Sequence, residues 1–268
     1  MAKIVVTGGK GFIGSHLVKK LKNVVILDKP ECDLSKFDEV KSFMLKHKPD
    51  VVIDLATLPL NESLIHPYYV AYKIFCMGIN LCELCKDGVI KELIHTSSSE
   101  VYEPNTPYAV AKDCQDKLIK SYVKSFGIKA KIVRPFNTYG EGQTLCAIIP
   151  ATIQRILLGD KPLIRGNGTQ KRDFVYVEDT VNGIIEVMNH GQYGEDYDIT
   201  TGEEYSITQI VIKICKLMNY NGKIEFTEAR AGDTNRIHGY EVPIYDCKVG
   251  IEEGLKRTIK WWEKQVLK

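Results

Sequence analysis

The chain has 268 residues, of which 44% are hydrophobic and 26% charged, and a formal net charge of +2. That balance belongs to a globular protein able to bury a sizeable core, and its scattered lysines argue against a polyanion-binding surface, so nucleic acid is not an expected partner. No apolar stretch reaches membrane-spanning length and the first strand starts at Lys3, leaving no room for a signal peptide, so a cytoplasmic location is expected.

The run from Ile4 to Thr7 reads as a buried strand, Gly8 to Gly11 as a turn, and Phe12, Ile13, Leu17, Val18 and Leu21 as the apolar side of a helix. This is the strand, glycine turn and helix of a dinucleotide-binding motif: Gly8 permits the tight turn, Gly11 lets the backbone approach a pyrophosphate, and Gly14 lets the helix pack closely on the strand. The helix start then offers N–H groups to the anion. The next apolar run, Val24 to Leu27, ends in Asp28, whose carboxylate suits the two adenosine-ribose hydroxyls and favours NAD over NADP.

Only four residues separate Asp28 from Asp33, too few for the helix and strand that would complete a first nucleotide-binding half, so one crossover is missing. A helix from Phe37 ends before Pro49, and Val51 to Thr57 reads as the next buried parallel strand. A long helix over 66–86, a strand from Ile90 to Ser97, a second long helix from Pro107 to Phe126 and a strand from Lys131 to Arg134 follow. Alternation of strands with helices predicts a doubly wound parallel sheet. After Pro135 the pattern is less regular: a helix from Ile148 to Leu158, a turn at Gly166-Asn167-Gly168, a strand from Phe174 to Val177, helices near 180 and 208, and a last helix from Ile251. This part reads as a smaller lobe with some segments returning to the sheet. The eight cysteines, Cys82-x-x-Cys85 included, read as reduced and mostly buried; the pair lacks a second one to complete a metal site, and none is expected.

Ligands in such sheets sit at the carboxyl ends of the strands, so Thr7, Asp28, Thr57 and Ser97 to Ser99 should border one crevice. Near it, Tyr108 and Lys112 stand four residues apart, on one face of their helix. A cation close to a phenol favours the phenolate, which makes Tyr108 a candidate general base.

Thr7 to Gly14, Asp54 to Thr57, Ser97 to Tyr102, Pro107 to Lys112, Arg134 to Gly140, Gly166 to Asp179 and Ala231 to Arg236 carry, in order, the pattern of a known family. The chain resembles the extended short-chain dehydrogenase/reductases, specifically the nucleotide-sugar epimerase/dehydratase group, over nearly its whole length. The resemblance implies an α/β protein: a Rossmann-type NAD-binding domain over 1–136, shortened after the second strand, and a C-terminal half, 137–268, that is mostly a substrate-binding lobe. It implies NAD held by Gly8, Gly11, Phe12, Ile13, Gly14, Asp28, Asp33, Leu34, Leu55, Ala56 and Thr57, together with Tyr108 and Lys112. Tyr108 would take the proton from a sugar hydroxyl, usually at C4, Ser98 would bind the same oxygen, and Lys112 would also hold the nicotinamide ribose. Asn137, Arg172 and Arg236 match positions that contact hexose or diphosphate, where a guanidinium suits phosphate.

Two departures from the family stand out. Relatives that are dehydratases carry an Asp-Glu pair where this chain has Ser99-Glu100, and a serine hydroxyl is a poor proton donor beside a carboxylic acid. Glu100 either assists catalysis or bonds to nearby backbone. The long helix over 66–86 reads Ile74-Phe75-Cys76-Met77-Gly78 where the family has an active-site asparagine. The resemblance favours an NAD-dependent nucleotide-sugar C4-epimerase, with decarboxylase, 4,6-dehydratase and 4-keto-reductase open alternatives, and a silent NAD-binding sensor or assembly partner the non-enzymatic one. Relatives pair their long helices into a four-helix bundle, so a homodimer is expected.

Overall fold

The computed structural model describes residues 2–230, 232 and 244–266. Its first half runs β1 (Ile4–Thr7), α1 (Phe12–Lys20), β2 (Val24–Leu27), α2 (Phe37–His47), β3 (Val51–Asp54), the short α3 (Leu60–Ile65), α4 (Pro67–Lys86), β4 (Glu92–Thr96), a 3₁₀ turn (Ser99–Tyr102), α5 (Pro107–Phe126) and β5 (Ala130–Pro135). There follow β6 (Asn137–Tyr139), α6 (Ile148–Leu157), β7 (Leu163–Arg165), β8 (Lys171–Tyr176), α7 (Val177–His190), β9 (Asp196–Ile199), β10 (Glu204–Ser206), α8 (Ile207–Leu217), β11 (Glu225–Thr227) and α9 (Ile251–Val266).

The main sheet has the order β2-β1-β3-β4-β5-β9 with all its pairs parallel. Alternation along the strands sends Val5, Val52, Leu93 and Ile132 to one face, against α2, α4 and α5, and Ile4, Val6, Ile53, Ile94 and Val133 to the other, against α1 and α7. With both faces covered, each strand must be apolar almost throughout, which is why these runs were legible. The chain reverses direction of travel across the sheet between β1 and β3, and the crevice for a ligand lies outside the strand ends there. β2 is the sheet edge, as the short segment after Asp28 requires, and its Ile26 is 39% exposed.

The strand expected over Val51–Thr57 stops at Asp54, because Leu55, Ala56 and Thr57 leave the ladder to meet the glycine turn. The sequence reading missed β6, β7, β9, β10 and β11, each of three or four residues and too short for a clear period. β9 comes from the C-terminal half and pairs with β5, and α7 packs on the same sheet. A second sheet, β10-β8-β6, forms with α6, α8 and α9 a core around Tyr139, Phe174, Ile153, Ile210, Leu255 and Trp262. All eight cysteines are free; Cys32, Cys82 and Cys215 are buried, whereas Cys114 and Cys146 are exposed, so the expectation of mostly buried thiols holds only in part. Among the described residues no helix is long and apolar enough to cross a membrane.

β5 is tied to α5 and β9 by a buried charge network. Arg134 donates to Asp116 through Nε at 3.1 Å and pairs with it through Nη2 at 3.0 Å, pairs also with Asp196, and Lys120 meets Asp196 at 2.7 Å. Removing one member strands buried charge. Arg134→Met should therefore lower the unfolding free energy by about 3–5 kcal/mol in urea titrations.

Candidate active site

Gly8 leaves β1 with φ of 65°, a left-handed backbone that favours glycine. A Cβ there would stand 3.0 Å from the Ala56 nitrogen and from the Leu55 carbonyl carbon, so the turn rests backbone on backbone against the loop after β3. A Cβ on Gly14 would lie 2.2 Å from the Gly8 carbonyl oxygen, which holds the first turn of α1 against the turn and admits glycine alone. Gly11 donates its N–H to the Gly8 carbonyl at 3.0 Å, and no side chain caps the start of α1 at Phe12 and Ile13. Its first N–H groups are left for an anion.

At the end of β2, Asp28 accepts the Lys10 N–H through Oδ2 at 2.7 Å, which sets the carboxylate beside the glycine turn. The cradle that side chains would fill, the uncapped helix start and this carboxylate fit a dinucleotide. Asp33 accepts from the Ser35 N–H at 3.0 Å, the Ser35 hydroxyl at 2.7 Å and Lys73 at 3.0 Å. Burial pushes its carboxyl up, but Ser35 and the Lys73 and Lys29 charges outweigh that and hold it well below the usual carboxylate range. Leu34 is buried in the core, and its carbonyl accepts from Asn80 Nδ2 at 2.8 Å. The side chains of Asp33 and Leu34 are thus engaged with the protein itself.

β4 delivers Thr96, Ser97 and Ser98 to the same edge. Ser97 donates to Asp116 at 2.8 Å, and Ser98 Oγ accepts the Glu100 N–H at 3.2 Å, capping the 3₁₀ turn. α5 begins at Pro107, whose missing N–H costs nothing there, under a cap in which Thr106 Oγ1 accepts the Ala109 N–H at 3.2 Å. Tyr108 is thereby placed in the first turn. Burial pushes its phenol up; the Ser98 and Thr57 hydroxyls, which face it, pull the other way, while the Glu100 and Asp116 charges add to the rise. One turn on, Lys112 is 2% exposed and donates from Nζ to the Thr96 carbonyl at 2.9 Å. Burial pushes its ammonium down, and the Asp54 and Asp116 charges oppose that.

Ile74 is buried against Val70 and Ala111, with Tyr108 packed on the same cluster. Its carbonyl accepts from Gln115 Nε2 at 2.6 Å, and Gly78 makes room, since a Cβ there would stand 2.8 Å from that nitrogen. The buried amide at this helix crossing therefore comes from α5 and not from α4.

Glu100, Asn137 and Arg172 line one cavity of ≈ 610 Å³, whose walls come from the start of α3, from β6 and the segment leading into α6, from α6, β7 and β8, and from Arg230. Arg172 is 5% exposed and donates from Nη1 to the Lys171 carbonyl at 2.8 Å. Arg236 lies outside the described residues. The sequence reading missed Arg155, Arg165 and Arg230, which also line the cavity, and Asn61, whose Oδ1 accepts from Arg230 at 3.2 Å. Arg165 could have been flagged by its place just before the Gly166-Asn167-Gly168 turn; Arg155 and Asn61 carry no local signal. Glu100 is the one carboxylate among the described lining residues.

A model of the NAD-dependent epimerase/dehydratase family matches residues 4–200. A Methanocaldococcus jannaschii protein provisionally named a UDP-glucose 4-epimerase is 29% identical, with 96% of this chain and 97% of that protein covered. The Haemophilus influenzae dTDP-glucose 4,6-dehydratase is 26% identical, with 98% of each chain covered. Among solved structures, the Thermotoga maritima UDP-glucose 4-epimerase with UDP-glucose superposes with a TM-score of 0.92 at 25% identity, covering 98% of this chain and 99% of that one.

The Gly8 and Gly14 contacts make a direct expectation. Gly14→Ala should weaken NAD binding by at least about 100-fold in calorimetric titration, since the helix start must move off the turn. Gly250→Ala, where a Cβ would meet nothing within 4 Å, should leave binding unchanged.

Proposed function

The chain belongs to the NAD-dependent epimerase/dehydratase family, and we propose that within it this protein is an NAD-dependent nucleotide-sugar C4-epimerase. The single observation that carries this reading is the acid inventory of the cavity. Glu100 is the only carboxylate among the described lining residues, and Ser99 beside it is 3% exposed. Loss of water from a keto sugar needs a proton donor as well as a base, and a buried serine is a poor donor. Simple return of hydride needs no second acid.

In this reading the substrate is a nucleoside-diphosphate hexose, with its anionic diphosphate toward Arg172, Arg165 and Arg155. Tyr108 takes the proton from the C4 hydroxyl, and Ser98 donates to the same oxygen. Lys112 supplies the positive charge that favours the phenolate and would also hold the nicotinamide ribose. NAD, which the glycine turn and Asp28 would hold, would supply the hydride chemistry at C4. Inversion follows if the keto sugar presents its other face before hydride returns, so the cavity must let the sugar turn. Residues 1–136 act as the cofactor half, and 137–268 chiefly as the substrate half.

The protein acts as a cytoplasmic homodimer in this account. On α4, Tyr68 is 81% and Tyr72 54% exposed and their rings stack with centroids 5.8 Å apart, an apolar face suited to a bundle with the same helices of a second copy.

The reading is tested by incubating the protein with NAD and nucleotide-linked glucose, N-acetylglucosamine and glucuronate, and following sugar identity, mass and net NADH. A changed sugar of unchanged mass with no NADH is expected; loss of water or carbon dioxide would overturn it. Tyr108→Phe should reduce turnover by about 10³-fold or more while NAD binding stays within about threefold; a sensor would keep its function. Because the phenolate is the active form and burial raises the phenol, kcat/KM should climb with pH through the neutral range. Glu100→Gln should cost less than about tenfold in kcat, whereas a dehydratase would lose nearly all activity.

A further inference from the structure

Ser97 and Tyr102, at either end of the turn that carries Glu100, are left without a task by the reading above, yet both are tied into the interior. The turn runs Ser99–Tyr102 and follows Ser98, whose Oγ accepts the Glu100 N–H at 3.2 Å. A hydroxyl has one proton and two acceptor positions, so this bond occupies an acceptor position and leaves the Ser98 proton for the oxygen that it faces. Where that proton is aimed depends on where the turn sits.

At the near end, Ser97 is 4% exposed; its Oγ donates to Asp116 Oδ2 at 2.8 Å and its N–H to the Val133 carbonyl at 2.7 Å. Asp116 lies on α5 one turn beyond Lys112 and two beyond Tyr108. The Ser97–Asp116 bond therefore fastens the end of β4 to the helix that carries the phenol, beside the bond from Lys112 to the Thr96 carbonyl. At the far end, the Tyr102 hydroxyl meets the Asp198 carboxylate, 2.9 Å from Oδ1 and 2.7 Å from Oδ2, and Asp198 is fully buried on β9. Arg134 stands between the two ends. It donates from Nε to Asp116 at 3.1 Å and from Nη1 to the Tyr102 oxygen at 3.4 Å, with its guanidinium 5.3 Å from the centroid of the Tyr102 ring.

The carboxylate of Asp116 shows what this arrangement favours. An arginine and a carboxylate pair most strongly through two N–H donors and both oxygens. Here the Nε and Nη2 of Arg134 and the Ser97 hydroxyl all converge on Oδ2, and the buried Oδ1 has no hydrogen-bond partner among the described residues. Leaving a buried acceptor unmet is costly. The interior gives up the second oxygen of the ion pair and keeps the bond to Ser97.

We infer that Ser97 and Tyr102 are positioning residues, which hold the turn between them so that Ser98 presents its hydroxyl to the oxygen on which Tyr108 acts. The inference rests on the reading of Tyr108 and Ser98 given under the proposed function. Through Asp116 and Tyr102, Arg134 then fixes the seat of the turn as well as joining strands.

The test follows turnover and backbone exchange together. Ser97→Ala removes one buried hydroxyl, Ser97→Thr keeps it, and Tyr102→Phe removes the phenolic oxygen and keeps the ring. With NAD and nucleotide-linked glucose or N-acetylglucosamine, Ser97→Ala and Tyr102→Phe should each lower kcat by at least about tenfold, with KM and the NAD dissociation constant within about threefold of native. Ser97→Thr should keep kcat within about threefold. Exchange of the Glu100 amide should quicken by at least about tenfold in both loss variants, while the β3 amides keep their native rates. A merely structural role would lower the urea midpoint and leave the folded protein's kcat alone, so a kcat within about twofold of native in Ser97→Ala and Tyr102→Phe would overturn the inference. Should Tyr102→Phe fail to fold, the two Ser97 variants decide it. If the native protein turned over no nucleotide sugar, the enzymatic reading would fall, and an unchanged Glu100 exchange rate in both loss variants would still overturn the hold on the turn.

Discussion

The site depends on one close approach, that of the glycine turn to the loop after β3. With Cβ atoms absent at Gly8 and Gly14, two backbones and a helix start come within van der Waals contact at the point where the order of strands reverses. Everything functional is arranged around that contact. It directs the uncapped N–H groups of α1 to one place, sets Asp28 across from them, and brings Thr57 to the phenol of Tyr108. It also forces β3 to end at Asp54, which turns a strand-end side chain into a buried clamp on Thr7.

From that contact the electrostatics follow. Parallel strands ending together put Thr7, Asp54, His95 and Ser97 in a dry layer beneath α4 and α5, where an unpaired charge is costly and a paired one is strong. Two separate balances result. Arg134 and Lys120 answer Asp116 and Asp196, which fastens β5 and β9 to α5; Asp54 is held by His95 and Thr7. Burial drives Tyr108 and Lys112 each toward its neutral form; at the phenol the Ser98 and Thr57 hydroxyls push back while Glu100 and Asp116 add to the rise, and at the ammonium the Asp54 and Asp116 carboxylates push back.

Most of the main sheet was legible because its strands are buried on both faces and so read as continuous apolar runs. Tyr108, Lys112 and Ser98 were legible for a different reason, as parts of an ordered set of motifs. What escaped was short or non-local. β9 has four residues, and its place beside β5 follows from packing of α7 rather than from its own pattern. Gln115 was passed over because a buried glutamine on a helix has no sequence signature; its role shows only against Ile74 and Gly78. Asp54 and His95 lie in apolar runs more than forty residues apart, and nothing in either run announces that register sets them side by side. Arg155 and Arg230 reach the cavity from elements whose placement the sequence left open, and Arg236 falls outside the described residues.

The central claim is transient oxidation at C4 with return of the same hydride, and isotope tracing tests it most directly. A nucleoside-diphosphate hexose deuterated at C4 would be incubated with the protein and NAD in ordinary water, and the product sugar examined by NMR and mass spectrometry. The account predicts an inverted C4 centre that retains its deuterium, with unchanged mass. Loss of the label to solvent, or a product lighter by water or carbon dioxide, would contradict it.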